Sequence, residues 1–172
     1  MSPKLLIAAL MFVPLAATAW AAGAGSAPRI AETNIIAAQH PYDESADAGA
    51  TIAAAQAKAK AVGKKLMIVF GANWCPDCRV LAGIADRPEV KPWLDANYVT
   101  VLIDTGRHNK NMDIAAQYGL ALQAIPSVLV LTADGKVVNR DEALALGDAR
   151  TMAPQDVVAL LARWSGEAPA TN

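Results

Sequence analysis

The chain has 172 residues, a formal net charge of −1 and 54% hydrophobic residues. That suits one domain of ordinary size once a targeting segment is removed, and the acidic and basic residues are spread along the chain, leaving no electrostatic footprint for nucleic acid or anionic lipid. Aromatic residues make up only 5%, so a core must rest mainly on Val, Leu and Ile.

Residues 1–21 read as a cleaved signal peptide. Lys4 supplies the positive region, Leu5 to Leu15 the apolar region, and Ala17-Thr18-Ala19 or Ala19-Trp20-Ala21 a small-x-small cleavage site. A membrane span needs about 20 apolar residues, and Pro14 interrupts this run. The mature protein is therefore expected to have no span and to be periplasmic or otherwise exported. No cysteine lies near the cleavage region, which sets aside a lipoprotein signal. Residues 22–46, small and polar without pattern, are expected to form an N-terminal arm over a domain at 47–166, with a flexible tail at 167–172.

Within that domain, Ile52, Ala55, Ala59 and Val62 recur at helical spacing, and Gly63 follows as a terminator. Leu66-Met67-Ile68-Val69-Phe70 is a short apolar run that fits a strand buried on both faces. Cys75 to about Ala85 opens a helix, and Pro88 followed by Glu89 to Ala96 restarts one, giving one kinked helix or two. Tyr98 to Ile103 is a second strand, far enough along for a helical crossover and so parallel to the first. Asn111 to Tyr118 reads as a short helix ended by Gly119. Ser127 to Leu131, the turn Ala133-Asp134-Gly135-Lys136 and Val137-Val138 form a hairpin pattern. The last helix runs from Pro154 to Trp164. The segment Arg140 to Met152 has no assignable conformation or task.

The chain has two cysteines. In an oxidising compartment most cysteines staple distant segments, but Cys75 and Cys78 close a loop too short to constrain the chain. They sit where a strand ends and a helix begins. There, helix N–H groups and the positive end of the helix dipole favour the thiolate of the first cysteine, the form that attacks a disulfide. A second thiol one turn on returns to release a mixed disulfide, so the pair makes a reversible two-electron couple. Cys75 is the expected nucleophile and Cys78 the resolving thiol. Zinc would need two more ligands, and His40 and His108 have no spacing that pairs them. No metal and no cofactor beyond the redox-active Cys75–Cys78 disulfide is expected. Met67, Met112 and Met152 read as packing residues, and Arg107-His108-Asn109-Lys110 as a solvated loop.

Trp74-Cys75-x-x-Cys78 after an apolar strand, with Tyr118-Gly119 and Ile125-Pro126 before another, resembles the thioredoxin superfamily over about Ala50 to Trp164. Among its members the chain is most similar to exported bacterial ones, including the C-terminal domain of the electron transporter DsbD. The resemblance implies an α/β fold, a thioredoxin-like three-layer sandwich with a central mixed β-sheet flanked by helices. It also implies a cis Ile125–Pro126 bond beside the cysteines, Ile125 backbone groups that pair with an extended substrate, and a Trp74 that shields the reactive sulfur or helps bind a substrate chain.

Thioredoxins carry a buried acid at the position of Val69 and a lysine at that of Thr100. Both are missing, so deprotonation of Cys78 falls to water, Asp77 or another group the sequence does not identify, and slow release of mixed disulfides is expected. Pro76 follows the first cysteine as in the oxidase DsbA, but Asp77 replaces a cation-capable His. Its carboxylate is expected to push the Cys75 pKa up toward the free-thiol value of about 8.5, unless it is simply a solvated first-turn acid. These residues point to an enzyme acting on protein thiols and disulfides, closer to a reductase or isomerase than to a primary oxidase. Such an enzyme implies a DsbD-like membrane electron donor. The alternative is a non-enzymatic binding module or copper chaperone, but chaperones of related fold carry CxxxC, and this pair is one residue too close.

Overall fold

The computed structural model describes residues 26–31 and 34–167. The expected signal segment 1–21, the first residues of the arm and all of the tail except Glu167 lie outside the described residues.

Helix α1 spans Ala48–Val62. Asp47 starts it by accepting the Ala50 N–H at 2.9 Å, and Gly63, in the left-handed region at φ 68°, ends it. Strand β1, Lys65–Gly71, follows at once. From Leu66 onward every residue of β1 is buried, as an unbroken apolar run requires of a strand covered on both faces. Strand β2, Tyr98–Asp104, lies parallel to it, and strand β3, Ser127–Leu131, lies antiparallel on the other side, giving the order β2-β1-β3.

Side chains alternate across β1 and so divide the interior in two. Leu66, Ile68 and Phe70 pack with Ile52, Ala55 and Ala59 of α1 and with Ala115 of helix α4, Met112–Gln117. Met67 and Val69 pack with helix α2, Pro76–Ala85, helix α3, Lys91–Asn97, and helix α5, Pro154–Ser165. The result is the three-layer mixed sandwich of a thioredoxin-like chain. The stretch after Cys75 is two helices rather than one kinked helix. Pro88 has no N–H and disfavours helical backbone at the residue before it, and the chain breaks at Asp86–Val90 before α3 begins.

The expected hairpin after β3 is reduced to a single bridge between Leu131 and Val137. Its Asp134-Gly135 turn forms, with Gly135 at φ 87°, but pairing stops because a side chain takes over from the second strand. The buried Asn139 accepts the Val130 N–H at 2.8 Å and donates to the Val128 carbonyl at 3.0 Å, as a peptide unit would. Val138 N–H reaches the Val130 carbonyl at 2.8 Å, and Val128 N–H reaches the Ala143 carbonyl at 2.8 Å. The segment 140–152, unassigned from sequence, thus begins by covering the outer edge of β3. It opens with one 3-10 turn at Arg140–Glu142, buries Ala143, Leu146 and Ala149, and is tied to α5 through Glu142, which accepts from Trp164 Nε1 at 2.6 Å.

Asn139→Ala leaves a buried donor and a buried acceptor of β3 unpaired, and is expected to lower stability by about 2 to 4 kcal/mol. The check is a lower urea midpoint with an unchanged slope.

Candidate functional site

Strand β1 carries the chain to the head of α2, where Cys75 occupies the N-cap position in extended backbone. Its sulfur does what a Ser or Asp oxygen does at other helix starts: Sγ accepts the Cys78 N–H at 3.2 Å. Pro76, with no N–H to orphan, fits the first helical position. The Ile125–Pro126 bond is cis, as the family resemblance implies, and the Ile125 carbonyl accepts from the Cys75 thiol at 3.6 Å. Both cysteines are free thiols, and Cys78 is fully buried behind Cys75.

The two sulfurs are pulled in opposite directions. The Cys75 thiol is lowered to about 7, chiefly because the Cys78 side chain donates to its sulfur, with the Cys78 backbone N–H adding to this against the effect of burial. Cys78 is pushed far up, because Cys75 holds its proton and because it is buried. One thiolate is therefore ready near neutrality and the other thiol is held protonated.

Asp77 departs from one sequence expectation and follows the other in direction only. It is not a solvated first-turn acid, since only 8% of it is exposed. Nor does it drive the Cys75 thiol to the free value. Its charge does raise Cys75, but this is outweighed by the Cys78 hydrogen bonds, and its own backbone N–H acts the other way. The carboxylate is held from the far end of segment 140–152: the Arg150 N–H donates to Oδ1 at 3.0 Å and Arg150 Nε stands 3.4 Å from Oδ2.

Trp74 lies beside the cysteines, 45% exposed. The loop at 106–108 grips it: its Nε1 donates to the Gly106 carbonyl at 2.7 Å, the Arg107 guanidinium sits 5.4 Å from the ring centre, and the His108 ring meets it edge-on at 6.0 Å. Two residues of the loop expected to be merely solvated therefore orient Trp74. Val69 is buried in the apolar layer beneath α2 and brings no charge to the site.

Sequence reasoning missed four residues here: Tyr42, Gly71, Asp104 and Arg150. The arm crosses α2 so closely that a Cβ on Gly83 would lie 2.2 Å from the Ile36 carbonyl oxygen. It then brings Tyr42, which is buried, into the cluster of Ala72, Cys75, Cys78 and Ile125. Asn73 fixes it there, accepting the Tyr42 N–H at 2.9 Å and donating to the Tyr42 carbonyl at 2.9 Å. A signal was present in the sequence, since Tyr42 stands as the lone Phe, Tyr or Trp in an arm of small and polar residues.

A strand end, a sulfur-capped helix and a cis proline facing the first thiol define a thioredoxin-type site. The family comparison agrees: a model described as thioredoxin-like matches residues 47–133, and the chain belongs to that family. The chain is similar to the solved structure of a disulphide isomerase from Xylella fastidiosa, with 35% identity and a TM-score of 0.69, over 72% of this chain and 95% of that one. It is also similar, at 27% identity and a TM-score of 0.43, to the C-terminal domain of DsbD from Neisseria meningitidis in the oxidised form, over 54% of this chain and 79% of that one. No curated protein is matched.

Alkylation of the reduced protein should rise with pH through a midpoint near 7, as the Cys75 thiolate forms. Arg150→Ala removes the guanidinium beside Asp77 while keeping the backbone N–H bond, and should move that midpoint up, while Asp77→Asn removes the repulsion and should move it down, each on the order of one unit. Identical midpoints in all three proteins would remove Asp77 from the electrostatics of the site.

Proposed function

We propose that the protein is an exported thiol–disulfide oxidoreductase that exchanges electrons with protein disulfides through Cys75 and Cys78, acting as a reductase or isomerase rather than a primary oxidase. The observation that carries this reading is the sulfur-capped helix start, with a thiol lowered to about 7 in front and a buried, protonated thiol one turn behind.

The Cys75 thiolate attacks one sulfur of a substrate disulfide, forming a mixed disulfide and expelling the other substrate sulfur as a thiolate. Cys78 loses its proton and attacks Cys75 Sγ. The Cys75–Cys78 bond forms, the mixed disulfide breaks, and the second substrate sulfur leaves. The substrate gains two electrons and the protein loses two. Ile125, whose carbonyl already faces Cys75, and the exposed Trp74 are the groups placed to receive the substrate chain around the reacting sulfurs.

The first thiol supports this direction. A value of about 7 matches that of thioredoxin, also about 7, and lies well above the roughly 3.5 of DsbA. The less the reduced thiolate is stabilised, the less oxidising the couple. The Xylella relative, described as a disulphide isomerase, supports the same side of the choice. Export rests on the signal-like pattern of residues 1–21. A reductant outside the cytoplasm needs recharging, and a DsbD-like membrane donor is the class of partner that would supply the electrons.

Equilibration in glutathione buffers tests the direction. The Cys75/Cys78 couple is expected at or below about −230 mV, and a value near about −120 mV would make the protein an oxidant and sink the assignment. Cys75→Ala is expected to abolish reduction of a protein disulfide while leaving the fold intact.

A further inference from the structure

Resolution by Cys78 requires its proton to leave, yet the thiol is fully buried and Val69 supplies no acid beneath it. A different pair of polar groups occupies that space. A Cβ placed on Gly71 would lie 2.1 Å from Tyr42 Oη and 2.9 Å from Cys78 Sγ, so the tyrosine hydroxyl and the resolving sulfur share the notch left by the missing side chain. The Tyr42 hydroxyl is buried with no hydrogen-bond partner among the described residues, and it borders the same notch as Cys78 Sγ.

Asp104 is the residue paired with Gly71 across the parallel strands, and paired residues point to the same face. It is buried, and its Oδ2 makes no hydrogen bond; Lys110 Nζ stands 3.5 Å away, an ion pair without hydrogen-bond geometry. Two buried, unsatisfied polar atoms on one face of one sheet end are uncommon in a native interior and ask for a reason. Asp104 also lines a cleft of about 530 Å³ beside Trp74 that includes His40, Glu44, Arg107 and Lys110.

We propose that Tyr42 and Asp104 become the proton acceptor path for Cys78 once the mixed disulfide forms: the tyrosine hydroxyl, hydrogen-bonded to neither in the resting protein, takes the thiol proton while giving its own to the Asp104 carboxylate, which releases it into the cleft. This rests on the exchange reading above. Burial and the neighbouring Cys78, Cys75 and Asp104 all hold the Tyr42 hydroxyl in its neutral form, so it acts as a conduit and not as a phenolate. The path would supply what the absent acid at Val69 does not, in place of the slow release expected from the sequence. The charged and titratable groups facing it are the two cysteines around Tyr42, Lys110 beside Asp104, and His40, Glu44 and Arg107 in the cleft.

Reaction of the reduced protein with a chromogenic aromatic disulfide, dithiobis-nitrobenzoate, separates the steps. The Cys75 thiolate attacks the reagent and releases one coloured thiolate. Cys78 then loses its proton and attacks the mixed disulfide, releasing the second. Tyr42→Phe keeps the ring in the notch, and is expected to leave the first release unchanged while slowing the second by roughly tenfold to a hundredfold at neutral pH. Asp104→Asn should slow the same phase. In both variants the second release should climb steadily with pH, as hydroxide takes over the proton, where the wild-type rate levels off. That change of profile is one a packing role would not produce. A second phase in Tyr42→Phe matching the wild type in rate and pH dependence overturns the path and leaves the exchange reading intact. Release of only one coloured thiolate by the wild type overturns both.

Discussion

A sulfur atom caps a helix in this protein, and the site is arranged around that contact. The Cys78 N–H would be an orphan donor at the head of α2 if Cys75 Sγ did not accept it. A negative sulfur accepts it better than a neutral one, so stabilising the helix start and stabilising the thiolate are the same event. The rest of the fold serves to place that helix start. Burial of β1 on both faces sets where the strand ends, and β3 brings the cis Ile125–Pro126 bond opposite.

What the sequence made legible is what local pattern controls. The fifteen-residue helix α1 between Asp47 and Gly63, the apolar run of β1 and the position of the two cysteines each follow from a few neighbouring residues. The hairpin after β3 failed for the opposite reason. The Asp134-Gly135 turn is correct and Val138 N–H pairs with Val130, but the next partners of β3, the Val130 N–H and the Val128 carbonyl, are taken by the Asn139 side chain, and amide mimicry of a strand leaves no period in a sequence. The burial of Asp77 is not legible locally because its partner, Arg150, is 73 residues away. Tyr42 was missed because irregular backbone carries no periodicity to say what it covers.

The segment from Arg140 to Met152 ties two of these surprises together. Its first residues satisfy the edge of β3 and bond to Trp164 on α5, and its last residues reach the carboxylate between the two cysteines. A stretch with little regular structure is held rigid because its polar groups have fixed partners at both ends and its Ala143, Leu146 and Ala149 are buried between. The charge beside the nucleophile is thereby fastened to the far edge of the sheet.

The clamp that Asn73 places on Tyr42 has a further consequence, for the alignment of the arm. A strap without ladder pairing has nothing of its own to stop it slipping lengthwise. Bonding to both the N–H and the carbonyl of one residue acts as a single rung, and the Ala38–Arg79 contact on α2 is a second anchor upstream. Slippage by one residue in one direction would offer Asn73 the ring nitrogen of Pro41, which has no hydrogen to give. In the other direction it would bring Asp43 toward a notch already occupied by a sulfur, where an unpaired charge is costly to bury. The residues on either side of Tyr42 thus make every neighbouring alignment worse, and the arm locks in the one position that seats a neutral hydroxyl against Cys78.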